Sequence, residues 1–255
     1  MQALFKSTVF LMICSVATLA KGAPNWDWQL SEPINAPRGI DIFDTDPDSV
    51  SANTIRRLNL SDVYTICYVS VGTVEDYRDD AAAFPASVIG RTYEDWPDER
   101  FLDIRRLDVL LPLMQARFQR CKDMGFQAIE PDNMDVFDNA SGFPLSRNDG
   151  LRYIIALADM AHGMGLEIGQ KNVPELTKEL VEVMDFAITE GCYVDGWCGD
   201  VFAYIRAKKP VLAAEYTDSS INWPAACAFA RANSYSMILK DRDLSTRLHI
   251  CPEGD

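Results

Sequence analysis

Short runs of apolar and β-branched residues recur along the chain. Between them lie longer stretches whose apolar positions return every three or four residues. The runs 39–44, 64–71, 101–104, 128–132, 167–171, 186–190, 211–216 and 236–240 read as strands. The stretches 107–124, 151–162, 174–184, 201–208 and 224–233 read as helices. Gly163 and Gly165 supply a stop after the second helix, and Pro174 opens the third at a turn where its missing N–H costs little. Strands alternating with helices predict a parallel sheet covered by helices. Eight such strands predict a closed (β/α)8 TIM-type barrel in a single α/β domain, and 255 residues suit that architecture. No G-x-G-x-x-G or phosphate-loop string favours an open doubly wound sheet. Residues 24–37, with their Pro, Trp and Asn, read as a lead-in, and 72–96 as a helix plus loop on the active face.

The first 23 residues stand apart. Lys6 precedes an apolar run too short to cross a bilayer, and Thr18, Ala20 and Ala23 offer small-residue cleavage positions. This pattern predicts a secretory signal peptide over 1–23, with a barrel domain over 24–255 and an extracellular location; a membrane anchor is the competing reading. Six cysteines lie beyond it, an even number that suits disulfides in a secreted chain. Cys192 and Cys198 are spaced to close a small loop, and Cys227 and Cys251 to tie down the C-terminal tail, although the spacing leaves other pairings open and Cys67 also reads as a free buried thiol. No zinc-like Cys/His cluster occurs, so no metal or cofactor is expected. Sequons at Asn59 and Asn139 allow glycosylation.

Charge narrows the partners. The net charge is -14, and loss of the two lysines of the leader takes it to about -16. Such a surface repels phosphate backbones, which argues against nucleic acid, and it favours a cationic ligand; solubility outside the cell is the plainer explanation. No later segment is apolar enough to span a membrane, and a monomer is expected.

The strands share one unusual property: nearly all end in polar or ionisable residues. Asp41 and Asp44 close the first, Tyr68 and Ser70 lie on the second, Asp103 and Arg105 end the third, and Glu130, Asp132 and Asn133 end the fourth. Lys171 and Asn172 end the fifth, Glu190 the sixth, Glu215 and Tyr216 the seventh, and Lys240 the eighth. Charge buried in a barrel wall costs several kcal/mol unless paired or solvated. In a (β/α)8 barrel those ends converge on one pocket, which gives the acids a common purpose; a ring of purely structural salt bridges is the alternative. Glu130 and Asp132, two apart on one strand, face the same side. A pocket of several carboxylates and aromatic rings, with no cofactor fingerprint and no G-x-S-x-G, suits glycoside hydrolysis by one acid/base and one nucleophile or base.

The strings Ile-Cys-Tyr-Val-Ser-Val-Gly-Thr (66–73), Glu-Pro-Asp-Asn (130–133), Gly-Phe-Pro-Leu (142–145), Gly-Gln-Lys-Asn (169–172), Phe-Ala-Ile-Thr-Glu (186–190) and Ala-Glu-Tyr (214–216) occur in this order. Together they resemble glycoside hydrolase family 114, the endo-α-1,4-polygalactosaminidases. The resemblance implies a cofactor-free barrel that cleaves galactosamine-containing polysaccharides internally. It places the catalytic carboxylates at Asp132 and Glu190 and the sugar-binding cleft at Asp41, Asp44, Tyr68, Lys171 and Glu215; Glu130, Asn133 and Tyr216 join this set from the strand-end reading. Asp132 is expected as nucleophile and Glu190 as acid/base. Two rivals stand beside this. In one, carboxylates of strands four and seven act, pairing Glu130 or Asp132 with Glu215. In the other, the barrel binds an amino-sugar polymer without cleaving it.

Overall fold

A computed structural model describes residues 23–252. The leader expected over 1–23 therefore lies, but for residue 23, outside the described residues. Eight parallel strands form the barrel: β1 (Trp26–Gln29), β2 (Ile42–Thr45), β3 (Tyr64–Ser70), β7 (Ala128–Asp132), β8 (Glu167–Lys171), β9 (Phe186–Glu190), β10 (Val211–Tyr216) and β11 (Ser236–Lys240), joined in this order. The Trp26 indole donates to the Ser236 carbonyl at 2.9 Å, which brings β1 back beside β11. A short β12 (His249–Ile250) adds antiparallel to β11. Three further strands, β4 (Thr73–Glu75), β5 (Ile89–Tyr93) and β6 (Trp96–Leu102), make a separate antiparallel sheet after β3.

Six α-helices pack outside: α1 (Ala52–Asn59), α2 (Leu107–Met124), α3 (Arg147–Gly163), α4 (Thr177–Leu180), α5 (Phe202–Arg206) and α6 (Trp223–Asn233). The start of α3 is set by a reciprocal capping box between Ser146 and Asp149, an arrangement worth about 1 kcal/mol. The stretches expected as the third and fourth helices are shorter than predicted: each opens on a 3₁₀ turn, Pro174–Leu176 or Cys198–Val201, that leads into the short α4 or α5.

Strand periodicity sorts two cores. Ile66, Ala128, Phe186, Ile188, Leu212, Ala214 and Ile238 fill the barrel interior with Trp26 and Trp28. Cys67, Val69, Ile129, Ile168, Ala187 and Ala213 point outward onto the helices. A Cβ on Gly169 would come within 2.3 Å of the Phe186 ring, so this position must lack a side chain for the interior to close.

The strand count is eight as expected, but one member differs. The lead-in supplies the first strand: Trp26–Gln29 pairs in parallel with Ile42–Thr45. Its buried Asp27 and Gln29 hide it from a search for apolar runs; Asp27 is held by Lys240 at 2.7 Å and by Gln29 at 2.6 Å. Residues 101–104 are not a barrel strand. Phe101 and Leu102 end β6, antiparallel to β4, and Asp103 pairs with Arg105 at 2.7 Å away from the pocket. The helix expected within 72–96 is likewise absent, replaced by this sheet and two 3₁₀ turns. Only a few of its residues are deeply buried, so it carries little hydrophobic periodicity to read.

Three disulfides staple the fold: Cys67–Cys121, Cys192–Cys198 and Cys227–Cys251. The first bonds β3 to α2, so Cys67 is not a free thiol. Asn59 donates its amide to the Gly125 carbonyl at 2.7 Å.

Candidate active site

The C-terminal ends of the barrel strands surround a cleft of about 510 Å3. Asp46, Asp98, Glu99, Asp132, Asp135, Glu190 and Asp243 line it against Arg78, Lys171 and Arg242, so its walls are acidic. At its base Lys171 gathers three carboxylates. Its ammonium lies 2.8 Å from Glu130, 2.9 Å from Asp132 and 3.2 Å from Glu190. The ring of Trp28 lies 4.5 Å from the same nitrogen. Burial alone would discharge Lys171, but Asp132, Glu130 and Glu190 hold its pKa well above the usual lysine range.

Asp132 emerges from β7 with Oδ1 on Lys171 and Oδ2 accepting from the Tyr68 hydroxyl at 3.1 Å. Burial pushes its carboxyl up, but Lys171 and the hydrogen bonds outweigh it and keep Asp132 below the usual aspartate range. Glu190 ends β9. Its Oε2 accepts from Asn172 at 3.1 Å, its Oε1 from the Tyr216 hydroxyl, and its backbone N–H donates to Asn172 at 2.9 Å. The two contacts of 2.9 and 3.2 Å to one nitrogen cap the separation of Asp132 Oδ1 and Glu190 Oε2 at about 6 Å.

Beneath them lie Asp44 and Glu130, both fully buried. No described residue gives a hydrogen bond to either oxygen of Asp44 or to Oε2 of Glu130 as the atoms stand. Burial first, and the charge of Glu130 next, raise Asp44 well above the usual range. Burial also lifts Glu130 to about 7, although Lys171 opposes it. Two carboxyls in this position share a proton. Asp44, raised by both burial and the charge of Glu130, is the one expected to carry it.

Asn133 has a left-handed backbone, φ 60°, just past the strand. A Cβ on Gly72 would fall 1.9 Å from the Asn133 carbonyl oxygen, so that turn requires glycine opposite it. The Asn133 amide donates to Ser70 at 3.0 Å and to Thr73 at 3.2 Å, joining the barrel mouth to the outer sheet.

The model of glycoside-hydrolase family GH114 matches residues 14–254. The chain belongs to this family. The GH114 chain superposes on the crystal structure of Aspergillus fumigatus Ega3 in complex with galactosamine with a TM-score of 0.84 and 28% identity, over 93% of this chain and 99% of that one. The glycoside hydrolase domain of PelA from Pseudomonas aeruginosa shares its fold, with a TM-score of 0.69 and 15% identity over 90% of this chain and 99% of that one. A search of curated proteins found no match. The GH114 chain is thus a TIM-barrel glycoside hydrolase.

The structure brings Asp132, Asn133, Glu190, Tyr68, Lys171 and Tyr216 together at the cleft. It separates four others from it. Asp41 precedes β2, at the opposite end of the barrel, where its carboxylate accepts from the Asn25 backbone at 2.9 Å. Asp44 and Glu130 lie below the cleft with no exposed surface, so they cannot touch a sugar directly. Glu215 is turned away from the cleft by the strand alternation that aims Tyr216 into it, and accepts from the backbones of Tyr193 at 2.7 Å and Val194 at 3.3 Å. This geometry also removes the pair that would join strand seven to strand four. Cys192 and Cys198 approach Glu215 closely enough to suggest metal ligands, but both sulfurs are spent in a disulfide. Asn172, Arg78 and Glu99 are cleft residues absent from the expected set; the last two come from the outer sheet and the turn beyond it, where no strand-end argument applies.

Proposed function

We propose that this enzyme cleaves α-1,4-linked galactosamine polymers internally, outside the cell, with Asp132 as nucleophile and Glu190 as acid/base. One observation carries the choice of this pair. Asp132 and Glu190 flank a single ammonium at the cleft base, with facing oxygens no more than about 6 Å apart. Retaining enzymes hold their carboxyls about 5–5.5 Å apart, whereas inverting enzymes need roughly 6.5–9.5 Å to admit a water. Retention is therefore the expected outcome.

The chemistry follows from the surroundings. Lys171 and Tyr68 keep Asp132 ionised and aimed. Glu190 protonates the leaving glycosidic oxygen while Asp132 attacks the anomeric carbon. In the second half, Glu190 takes a proton from water as the water oxygen bonds to the anomeric carbon and the bond from that carbon to Asp132 breaks. The acidic cleft suits ammonium-bearing sugars, each charge-assisted hydrogen bond being worth roughly 1.5–3 kcal/mol. Three disulfides favour an oxidising compartment. Among the described residues no helix is long and apolar enough to cross a membrane.

Incubation with polygalactosamine and with galactosaminogalactan, followed by mass analysis of the fragments, tests this reading. Internal cleavage gives a ladder of oligomers from early times. Binding without any new reducing ends would instead favour a non-catalytic amino-sugar-binding barrel.

A further inference from the structure

The outer sheet brings a carboxyl to the cleft that the catalytic scheme does not use. Glu99 on β6 lines the cleft while only 8% of its surface is exposed. Its Oε2 is fixed by the Thr73 hydroxyl at 2.5 Å and the Asn133 amide at 3.3 Å. No described residue donates a hydrogen bond to its Oε1. In the β4–β6 register Glu99 stands directly opposite Glu75, but the two differ in partners. Glu75 is held by Arg78 at 2.8 Å, whereas no described cation lies within ion-pair distance of Glu99. A carboxyl so placed needs a cation or a proton.

The surroundings point to the kind of cation. Tyr77 and Trp96 line the same cleft and expose 62% and 57% of their surface. They are two of the four large apolar residues left exposed among the described residues. Arg78 lies over one face of Tyr77, 5.1 Å from the ring centroid, and the exposed surface left on Tyr77 and Trp96 beside a carboxyl suits a molecule with apolar ring surfaces and a positive charge.

We propose that Glu99 receives a protonated amino group of the glycan on the outer-sheet side of Asp132, with Tyr77 and Trp96 stacking on the neighbouring sugar rings. The proposal rests on the amino-sugar reading given above and assigns its ammonium a receptor.

Binding is then linked to a proton. Burial first, then the charges of Glu75 and Asp132, push Glu99 up to about 7, against the Thr73 hydrogen bond and Arg78. The other groups around it are accounted for. Glu75 is paired with Arg78, and Asp132 with Lys171. The phenols of Tyr68, Tyr77 and Tyr93 are raised by burial and stay neutral. Asp98 precedes Glu99 on the exposed side of β6, and Asp135, another cleft residue, is raised by burial and then by Asp132. When the ammonium arrives, the O–H bond of Glu99 breaks, its proton passes to solvent, and the carboxylate pairs with the sugar cation. Affinity for the amino sugar should therefore rise as pH climbs towards neutrality.

Calorimetric titration of the whole enzyme with a galactosamine disaccharide, in two buffers of different ionisation enthalpy, tests this. The expected result is release of about half a proton per site near pH 7, and more at lower pH. Glu99→Gln, which keeps an acceptor for Thr73, should bind about 10- to 100-fold more weakly and release no such proton. The N-acetylated disaccharide should bind both forms alike. Unchanged affinity, persistent proton release, or equal loss of both ligands would overturn the proposal. Should the Gln variant unfold, Glu99→Asp, which keeps the charge but retracts it, must weaken the amino sugar and spare the acetylated one. Proton-linked disaccharide binding by an enzyme that cuts no galactosamine polymer would refute the hydrolytic specificity and leave Glu99 in place. Failure of the disaccharide to bind would remove both.

Discussion

The ammonium of Lys171 stands 2.9 Å from the carboxylate of Asp132 and 2.8 Å from that of Glu130. A fully buried cation between acids serves two ends: it keeps Asp132 ionised, and it neutralises charge that burial would otherwise expel.

Replacing Lys171 by Met should separate these effects. Without the ammonium, the pKa of Asp132 rises, so the acid limb of the kcat/KM profile should move to higher pH. Stability should fall by about 3–5 kcal/mol, because the acids around it lose their buried partner. A pH–rate profile and denaturant unfolding read the two outcomes.

Asp132→Asn and Glu190→Gln should each lower turnover on a galactosamine polymer by roughly 10³-fold or more, on the order of 4 kcal/mol of barrel-mouth chemistry. Glu215→Gln should stay within about tenfold of the parent, because that residue holds the backbone of Tyr193 and Val194 rather than facing the cleft. The reverse order would restore the strand-seven pairing. In Asp132→Ala, azide should rescue activity and give a glycosyl azide of inverted, β configuration, whereas in Glu190→Ala it should open the glycosyl-enzyme to give the retained α azide; the opposite pair of configurations would exchange the two roles.

Asp44→Asn tests the shared proton beneath the site. A neutral carboxyl and an amide are close in shape, and the amide still donates to Glu130. The substitution should leave turnover nearly unchanged. Because folding raises the Asp44 pKa, the parent protein loses stability as pH rises above the unfolded aspartate value, near 4, towards the folded one. The Asn variant escapes this loss, so its advantage in thermal unfolding should be absent at about pH 4 and grow towards neutrality. A constant difference across that range would mean that Asp44 does not carry the proton.

Removing the Cys67–Cys121 bridge by a double change to Ser should cost about 4 kcal/mol, the loop-closure value for a span of 54 residues. Unfolding with and without reductant measures it. The same treatment of Cys192–Cys198, which closes only six residues, should cost less.

The class of fold and the strand ends where chemistry gathers can both be read from the order of residues alone. Alternating runs name β2, β3 and the five strands from β7 to β11, because apolar side chains leave a periodic record wherever one face is buried. They could not name β1, whose Asp27 and Gln29 are polar yet buried, satisfied by partners such as Lys240 that lie 213 residues away along the chain. Nor could they separate residues 101–104 from a barrel strand, since an apolar cluster records burial and not the sheet in which it lies.

Asp132, Lys171 and Glu190 were legible because barrel closure carries every strand end to one mouth. Depth and direction were not. Asp44 and Glu130 look like cleft residues in the chain but lie beneath it, Glu215 turns its back, Asp41 belongs to the far end, and Glu99 arrives from a sheet outside the barrel. Each of these depends on which groups meet across long separations. Local sequence pattern records how a segment is buried, while only the folded chain decides which charges face one another.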